Sequence, residues 1–236
     1  ILESVIGTNG VLIPPPGYLA GVRALCDKYG IVYIADEVMV GFGRIGEWFA
    51  CQAWDVTPDL ITFAKGVNSG YVPLGGVVIS EKIASQFDHK PYPGGLTYSG
   101  HVLGCAAGVA SIGVFERDKI LPHVRHVGED VLGAGLSKLA ESHPSVGEVR
   151  GKGFFWAVEL VKDGTTREPL VPFAASGKDA AAMGTVTAAA KSRGLWPFVA
   201  GNRLQIAPPL TTTEDEIRQG LEILDEVLTV ADGFVG

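Results

Sequence analysis

Two stretches of the chain decide its fold: Ile31-Val32-Tyr33-Ile34-Ala35-Asp36-Glu37-Val38 and Asp59-Leu60-Ile61-Thr62-Phe63-Ala64-Lys65-Gly66. Each contains a short apolar run that includes β-branched residues, which is typical of a strand buried on both faces of a parallel sheet. A glycine-rich loop at 41–46 and a predicted short helix near 48–54 separate the two runs. This order of elements indicates an α/β domain.

Helix and strand signals continue on both sides of these stretches. Upstream, residues 1–6 are predicted as a strand. Pro16 is predicted as the first residue of a helix, whose apolar residues recur at helical spacing from Tyr18 to Tyr29 and which Gly30 ends. Downstream, residues 77–79 are predicted as a further strand. The alternation predicts a mostly parallel sheet with helices on both faces, in a domain that binds ligands at the carboxyl ends of its strands.

The character of the chain changes near Val146. Beyond it we predict a strand at 153–161, an alanine-rich helix at about 177–193, and a last helix that opens with the capping box Thr213-Glu214-Asp215-Glu216. We therefore expect three parts: residues 1–118 as part of a large domain, residues 119–144 as a connecting helix, and residues 145–236 as a smaller C-terminal α+β domain.

The composition limits the classes of partner. Hydrophobic residues make up 47% of the 236 residues, charged residues only 19%, and the formal net charge is −7. An acidic chain without basic clusters is not expected to bind nucleic acid or an anionic membrane surface. The three cysteines, Cys26, Cys51 and Cys105, lack the spacing of a disulfide framework or a zinc site. This favours reduced thiols, no bound metal and a cytoplasmic location.

Asp36 and Lys65 each follow an apolar strand directly. Taken alone, a carboxylate at a strand end is most often a turn residue and a lysine there is most often a solvated end. If the two strands are neighbours in one sheet, the two side chains emerge at the same edge. They could then hold opposite ends of pyridoxal phosphate, which needs a lysine amine for its aldehyde and a carboxylate to keep its ring nitrogen protonated.

Several spaced motifs make this interpretation specific. The chain resembles the class III aminotransferases, which are fold-type I pyridoxal-phosphate enzymes. The motifs that carry the resemblance are Tyr33-Ile34-Ala35-Asp36-Glu37-Val38, Gly41-Phe42-Gly43-Arg44, Asp59–Gly66, Pro73-Leu74-Gly75-Gly76, Thr97-Tyr98-Ser99-Gly100-His101 and Ala207-Pro208-Pro209-Leu210. The resemblance implies that residues 1–118 are the C-terminal part of the large cofactor-binding domain.

The resemblance also implies roles for individual residues. Lys65 would form the Schiff base with the cofactor and act as general base and acid, Asp36 would pair with the ring nitrogen, and Val38 would pack on one ring face. Thr97 would donate its hydroxyl to the cofactor phosphate across a dimer interface. We therefore expect a homodimer or a tetramer with shared active sites. For Val38 and Thr97, ordinary core and loop roles remain as alternatives.

The implied reaction is ping-pong transfer of an amino group to a keto acid such as pyruvate. Glutamine at position 205, where many relatives have an arginine, is similar to members that act on ω-amino acids, taurine-like compounds or amines. Arg203 is two residues earlier, so it faces the same side of a strand, and Glu3 matches a glutamate at the edge of the active site. These three residues are the candidates for substrate binding. A decarboxylase or an aminomutase of the same family is the alternative function.

The family resemblance also shows departures. Ser4 stands where proline is usual, Ile45 where threonine is usual, and Val102 where proline is usual. Ile1–Ile6 already reads as a strand, so we expect the chain to begin within a fold and to lack the upstream segment that carries the phosphate-binding loop of the family. A non-catalytic fragment is therefore a further alternative.

Overall fold

The computed structural model describes residues 1–236 as two compact units. Unit 1 contains residues 1–5 and 14–121, and unit 2 contains residues 6–13 and 122–236. The division falls close to the predicted end of the large domain at residue 118. The short segment 6–13, however, is grouped with the C-terminal half of the chain, which sequence patterns did not predict.

Unit 1 is built on a four-stranded sheet with the order β1-β2-β3-β4. Strands β1, β2 and β3 are parallel and β4 is antiparallel to β3, so the sheet is mostly parallel as predicted. Apolar pairs such as Ala35 and Ile61 lie side by side in the centre. The strands are β1 (Leu2–Glu3), β2 (Ile34–Asp36), β3 (Leu60–Phe63) and β4 (Gly76–Ile79).

Three α-helices belong to unit 1. The first ends where predicted but begins at Tyr18, two residues after the predicted start at Pro16, because Gly17 takes a left-handed conformation with φ of 80°. Helix α1 ends at Tyr29 because Gly30 adopts a left-handed conformation with φ of 66°, which a glycine enters without steric cost. A short 3-10 helix, Ala50–Trp54, follows the glycine-rich loop. The helices are α1 (Tyr18–Tyr29), α2 (Glu81–Ala84) and α3 (Val102–Arg117).

Unit 2 contains an antiparallel sheet with the order β5-β6-β9-β8, and β7 pairs with the far end of β6. The sequence patterns missed β5, because its residues alternate with glycine and charged side chains and have no apolar run. It forms because it pairs along its length with the apolar β6. The strands are β5 (Val146–Lys152), β6 (Phe155–Asp163), β7 (Glu168–Pro169), β8 (Phe198–Ala200) and β9 (Arg203–Ile206).

The stretch predicted as a connecting helix, residues 119–144, is helical from Ile120 to Ser142 with a π-helical middle, Val127–Gly133. An added Cβ at Gly128 would lie 2.4 Å from the carbonyl of Gly153, so only glycine permits this close approach. The last helix is capped as predicted, since the Thr213 side chain accepts from the N–H of Glu216. No helix of the chain is long and apolar enough to cross a bilayer. The helices are α4 (Ile120–His126), α5 (Ala134–Ser142), α6 (Ala181–Ser192) and α7 (Glu214–Asp232).

A buried histidine holds the C-terminal half of α7. The Nδ1 atom of His143 lies 2.7 Å from Asp232 and its Nε2 atom lies 2.7 Å from Asp225. The Ser145 hydroxyl donates to the other oxygen of Asp232 at 2.6 Å. Burial opposes protonation of His143, but the hydrogen bonds to Asp232 and Asp225 outweigh it, so the pKa of the imidazole is raised. The pKa of Asp232 is lowered because bonds from Ser145 and His143 outweigh its burial, which acts in the raising direction.

These two pKa shifts predict that stability is lost both when the pH rises, through His143, and when the pH falls, through Asp232. The contribution of His143 is complete below its unfolded pKa of about 6.5 and is lost as pH rises through the raised folded pKa. The contribution of Asp232 is present above an unfolded pKa of about 3.9 and is lost as pH falls through its lowered folded pKa. We expect the His143→Gln variant to lose about 2 kcal/mol of local stability near pH 6 and less at pH 9.

Hydrogen exchange of the α7 amides, corrected for intrinsic rates, measures this effect. His126 offers a matched control, because it also lies 2.8 Å from an aspartate, Asp130, but its side chain is 63% exposed. His126→Gln should leave α7 protection unchanged. Equal protection of wild type and His143→Gln at pH 6 would contradict the prediction.

Candidate active site

Three polar side chains form a row at the carboxyl edge of the unit 1 sheet. Glu3 of β1 is the register partner of Asp36 of β2, and Asp36 is the partner of Thr62 of β3. Register partners in neighbouring strands point to the same face of a sheet. The sheet therefore brings Glu3 next to Asp36, and it places Lys65 three residues beyond Thr62 at the end of the adjacent strand.

A short backbone contact orients Asp36. The N–H of Val38 donates to Oδ1 of Asp36 at 3.1 Å, a local turn in which an aspartate side chain bonds two residues ahead. The other carboxylate oxygen, Oδ2, makes no hydrogen bond within the chain. Asp36 thus has one oxygen engaged and one available to a ligand, which is the state that a partner of a ring nitrogen requires.

Lys65 has an unusual backbone at the end of β3. Its φ is 38°, in the left-handed region that costs a non-glycine residue about 1–2 kcal/mol. Its side chain is exposed and makes no hydrogen bond or ion pair within the chain. Strained residues of this kind cluster at functional sites, so the conformation adds independent support to the choice of Lys65.

The strained turn packs closely on the glycine-rich loop. A Cβ added at Gly66 would lie 3.1 Å from Cβ of Phe42 and 3.2 Å from the carbonyl oxygen of Gly41. The loop itself is closed by two backbone bonds, from Phe42 N to Trp48 O at 2.6 Å and from Gly43 N to Glu47 O at 3.0 Å. Burial lowers the pKa of Arg44 in this loop to about 10.

Sequence patterns singled out Asp36 but gave Glu37 no role. The Glu37 side chain is completely buried and accepts hydrogen bonds from the Ser4 hydroxyl at 2.6 Å and from the N–H groups of Ala50 and Cys51 at 2.7 and 2.9 Å. Burial raises the pKa of Glu37, and the bonds from Ser4, Ala50 and Cys51 act against that rise. The only sequence signal was Ser4 itself, at a position where proline is usual.

Thr97 lies in a turn of unit 1, where the N–H of Ser99 donates to Leu96 O at 3.0 Å. Its side chain is exposed and makes no hydrogen bond within the chain. The alternative that backbone groups satisfy this hydroxyl therefore receives no support from the structure.

Arg203 and Gln205 belong to unit 2, on β9. Arg203 donates from Nε to Ala200 O at 3.2 Å and from Nη1 to Asn9 O at 2.6 Å. Gln205 donates from Nε2 to the carbonyls of Gly7 and Thr8, both at 3.3 Å. Both side chains therefore hold segment 6–13, and neither was predicted to do so.

Arg150 completes this arrangement by donating to Gly10 O at 2.8 Å while it pairs with Glu148 and Glu159. An added Cβ at Gly10, whose φ is 111°, would lie 2.7 Å from Cδ of Arg203. Segment 6–13 thus gives its carbonyl oxygens to two arginines and a glutamine, which explains why it is grouped with unit 2.

Comparison with known proteins identifies the family. The family model described as aminotransferase class-III matches residues 1–228. The chain belongs to the class III aminotransferases. It is 37% identical over 243 aligned residues to the taurine–pyruvate aminotransferase of Bilophila wadsworthia, with 100% of this chain and 53% of that protein covered. It is 38% identical to the 4-aminobutyrate aminotransferase of Escherichia coli strain K12, with 96% and 51% covered.

Solved structures agree with this assignment to the class III aminotransferases. The taurine:2-oxoglutarate aminotransferase of Bifidobacterium kashiwanohense, in complex with pyridoxal phosphate and glutamate, matches with a TM-score of 0.92 and 46% identity over 98% of this chain and 51% of that chain. An (S)-enantioselective ω-transaminase of Thermomicrobium roseum matches with a TM-score of 0.87 and 36% identity over 97% and 50%. The fold is that of the fold-type I transaminases. The chain spans about half the length of these relatives.

The residues at this edge of the sheet fit pyridoxal phosphate, the cofactor of the family. The fit rests on the donor set: a lysine amine without a partner in the chain, and a carboxylate with one oxygen oriented and the other unengaged. These are the two groups that the aldehyde and the ring nitrogen of the cofactor need.

The packing of Gly66 gives a test of the strained turn. We expect Gly66→Ala to destabilise the protein by about 1–3 kcal/mol, because the new methyl group must push the Lys65 turn away from the glycine-rich loop. Gly113→Ala is the control, since a Cβ at this position of α3 meets nothing within 4 Å and should stabilise the helix slightly. Denaturant unfolding measures both changes, and equal effects of the two substitutions would contradict the predicted contact.

Proposed function

We propose that this protein is a pyridoxal-phosphate-dependent aminotransferase that moves an amino group from an ω-amino acid, a taurine-like compound or an amine to a keto acid such as pyruvate. The observation that carries the proposal is the placement of Asp36 and Lys65 at the carboxyl ends of adjacent parallel strands. Both side chains are available to a ligand at this edge of the sheet.

The two residues have complementary tasks in this reaction. When bound, pyridoxal phosphate supplies an aldehyde and a protonated ring that draws electrons away from the substrate carbon. The unengaged oxygen of Asp36 keeps the proton on the ring nitrogen. The amine of Lys65 would hold the aldehyde carbon. Once released, it would take a proton from the substrate carbon as a base and deliver it as an acid to the carbon that had carried the aldehyde.

Further roles follow the family pattern. We assign Val38 to one face of the cofactor ring, where the adjacent Asp36 turn supports it. We assign Thr97 to the cofactor phosphate of a second subunit, and its exposed, unengaged hydroxyl supports this role. The active form would then be a homodimer or a tetramer with shared sites.

The substrate class rests on named relatives and on two residues of β9. The relatives act, by their names, on taurine and on 4-aminobutyrate, which are amines with a distant anionic group. We propose that Arg203 binds such an anion through Nη2, which has no partner in the chain, with Gln205 two residues further along β9. We also propose Glu3, in unit 1, as a substrate-binding residue. The relatives differ in acceptor, since one is named for pyruvate and another for 2-oxoglutarate.

We also propose that residues 1–118 are part of the large domain, residues 119–144 the connecting helix, and residues 145–236 a smaller C-terminal domain. The change from a mostly parallel to an antiparallel sheet between the two units supports this division. The three free cysteines support a cytoplasmic location.

Replacement of Lys65 tests the chemistry. We expect Lys65→Ala, made in the complete protein, to abolish the visible absorbance of bound cofactor. Turnover should fall about 1,000-fold or more, because no other lysine lies at this strand end. Lys138→Ala removes an exposed lysine of α5 and should change neither. Near-normal turnover of Lys65→Ala would exclude the proposed role.

A substrate panel tests the reaction class. Taurine, β-alanine, 4-aminobutyrate, ornithine and 1-phenylethylamine are each offered with pyruvate or 2-oxoglutarate, and the amino acid formed from the acceptor is measured. We expect turnover of donors with a distant anionic group, and we expect Arg203→Ala to raise their KM about tenfold while 1-phenylethylamine is unaffected. Carbon dioxide release, or product formation without an acceptor, would instead identify a decarboxylase or an aminomutase.

A further inference from the structure

Glu37 is a fully buried carboxylate next to Asp36, and the proposed chemistry gives it no task. A buried carboxylate is strongly unfavourable unless hydrogen bonds replace its lost hydration. A hydrophobic residue of similar size in the same space is often at least as stabilising as a buried charged group. Stability alone therefore does not explain why a carboxylate is buried at position 37.

The partners of Glu37 come from two separate elements. Oε1 accepts from the Ser4 hydroxyl, just beyond β1, and from the N–H of Cys51, and Oε2 accepts from the N–H of Ala50. Ala50 and Cys51 open the 3-10 helix that follows the glycine-rich loop. Because backbone N–H groups can only donate, the ionised carboxylate satisfies all of these partners at once.

The backbone of Glu37 is held as well. Its N–H donates to Thr62 O at 2.9 Å, and its carbonyl accepts from Gly41 N at 2.8 Å. The peptide that joins Asp36 to Glu37 is therefore fixed to β3 on one side, and the turn beyond it is closed. Within that turn the N–H of Val38 sets the direction of the Asp36 carboxylate.

We propose that Ser4 and Glu37 act together as positioning residues for Asp36. The Glu37 side chain ties the turn 36–38 to β1 and to the 3-10 helix 50–54, so that the unengaged oxygen of Asp36 keeps one direction toward the ring nitrogen. Ser4 is the distinctive part of this device, because a proline at position 4 would have no hydroxyl to donate. The inference rests on the proposed function, and it concerns only how Asp36 is held.

Two substitutions in the complete protein test the proposal. Glu37→Gln is nearly isosteric but turns an NH₂ group toward a backbone N–H, whereas Ser4→Ala removes a single oxygen. Glu81→Gln, on the exposed face of α2 in the same unit, is the matched control. The measurements are the Kd for pyridoxal phosphate, the pH midpoint of its visible absorbance when bound, and the melting temperature without cofactor.

We expect the Kd to weaken about tenfold in Glu37→Gln, the loss of roughly one charged hydrogen bond, and about threefold in Ser4→Ala. The pH midpoint should rise in both variants, because a ring nitrogen that is less firmly protonated withdraws less charge. Glu81→Gln should match the wild type in all three measurements.

A lower melting temperature with an unchanged Kd and an unchanged pH midpoint would show that the pair is merely structural, and it would overturn the inference. If Glu37→Gln does not fold, Ser4→Ala decides the question by the same criteria. A wild-type protein that shows no visible band with cofactor would overturn the proposed function, and the role of Glu37 with it. If the wild type shows the visible band and both variants leave its pH midpoint and the Kd for pyridoxal phosphate unchanged, only the positioning role is overturned.

Discussion

The parallel register of β2 and β3 is the constraint on which the candidate site depends. Parallel neighbours end at the same edge of a sheet, so a residue that follows one strand meets a residue that follows the other. Asp36 and Lys65 are 29 positions apart in the chain, yet the pairing of Asp36 with Thr62 places both at one edge. A shift of register by one residue would turn Asp36 to the opposite face of the sheet.

The carboxyl edge of the unit 1 sheet contains two energetically unfavourable features, a buried carboxylate and a strained backbone conformation. Glu37 gives up its hydration completely and is compensated by a hydroxyl and two backbone N–H groups. Lys65 adopts a left-handed conformation that only a glycine adopts freely. Both features lie within two residues of a strand end, where rigid pairing on one side supports an unfavourable arrangement on the other.

In unit 2, charged side chains form hydrogen bonds that join distant segments of the chain. Arg150 and Arg203 are both partly buried, and both donate hydrogen bonds to backbone carbonyls of segment 6–13 in addition to their other partners. His143 holds two carboxylates of α7 because both of its ring nitrogens are engaged. In each case a charged side chain joins segments that are far apart in the sequence, which makes these charges part of the fold as well as candidates for function.

The sequence by itself determined the class of fold, the family and most of the helices, and it predicted Asp36 and Lys65 as the candidate cofactor-binding pair. These depend on local signals: apolar runs, short spaced motifs, glycine at helix ends and the capping box at Thr213. It missed β5, the strand whose residues carry no apolar run and which exists only through its pairing with β6. It also missed the hydrogen bond between Ser4 and Glu37, which joins positions 33 residues apart. Only the tertiary structure decided these features, because hydrogen bonds between distant segments leave no periodic trace in the chain.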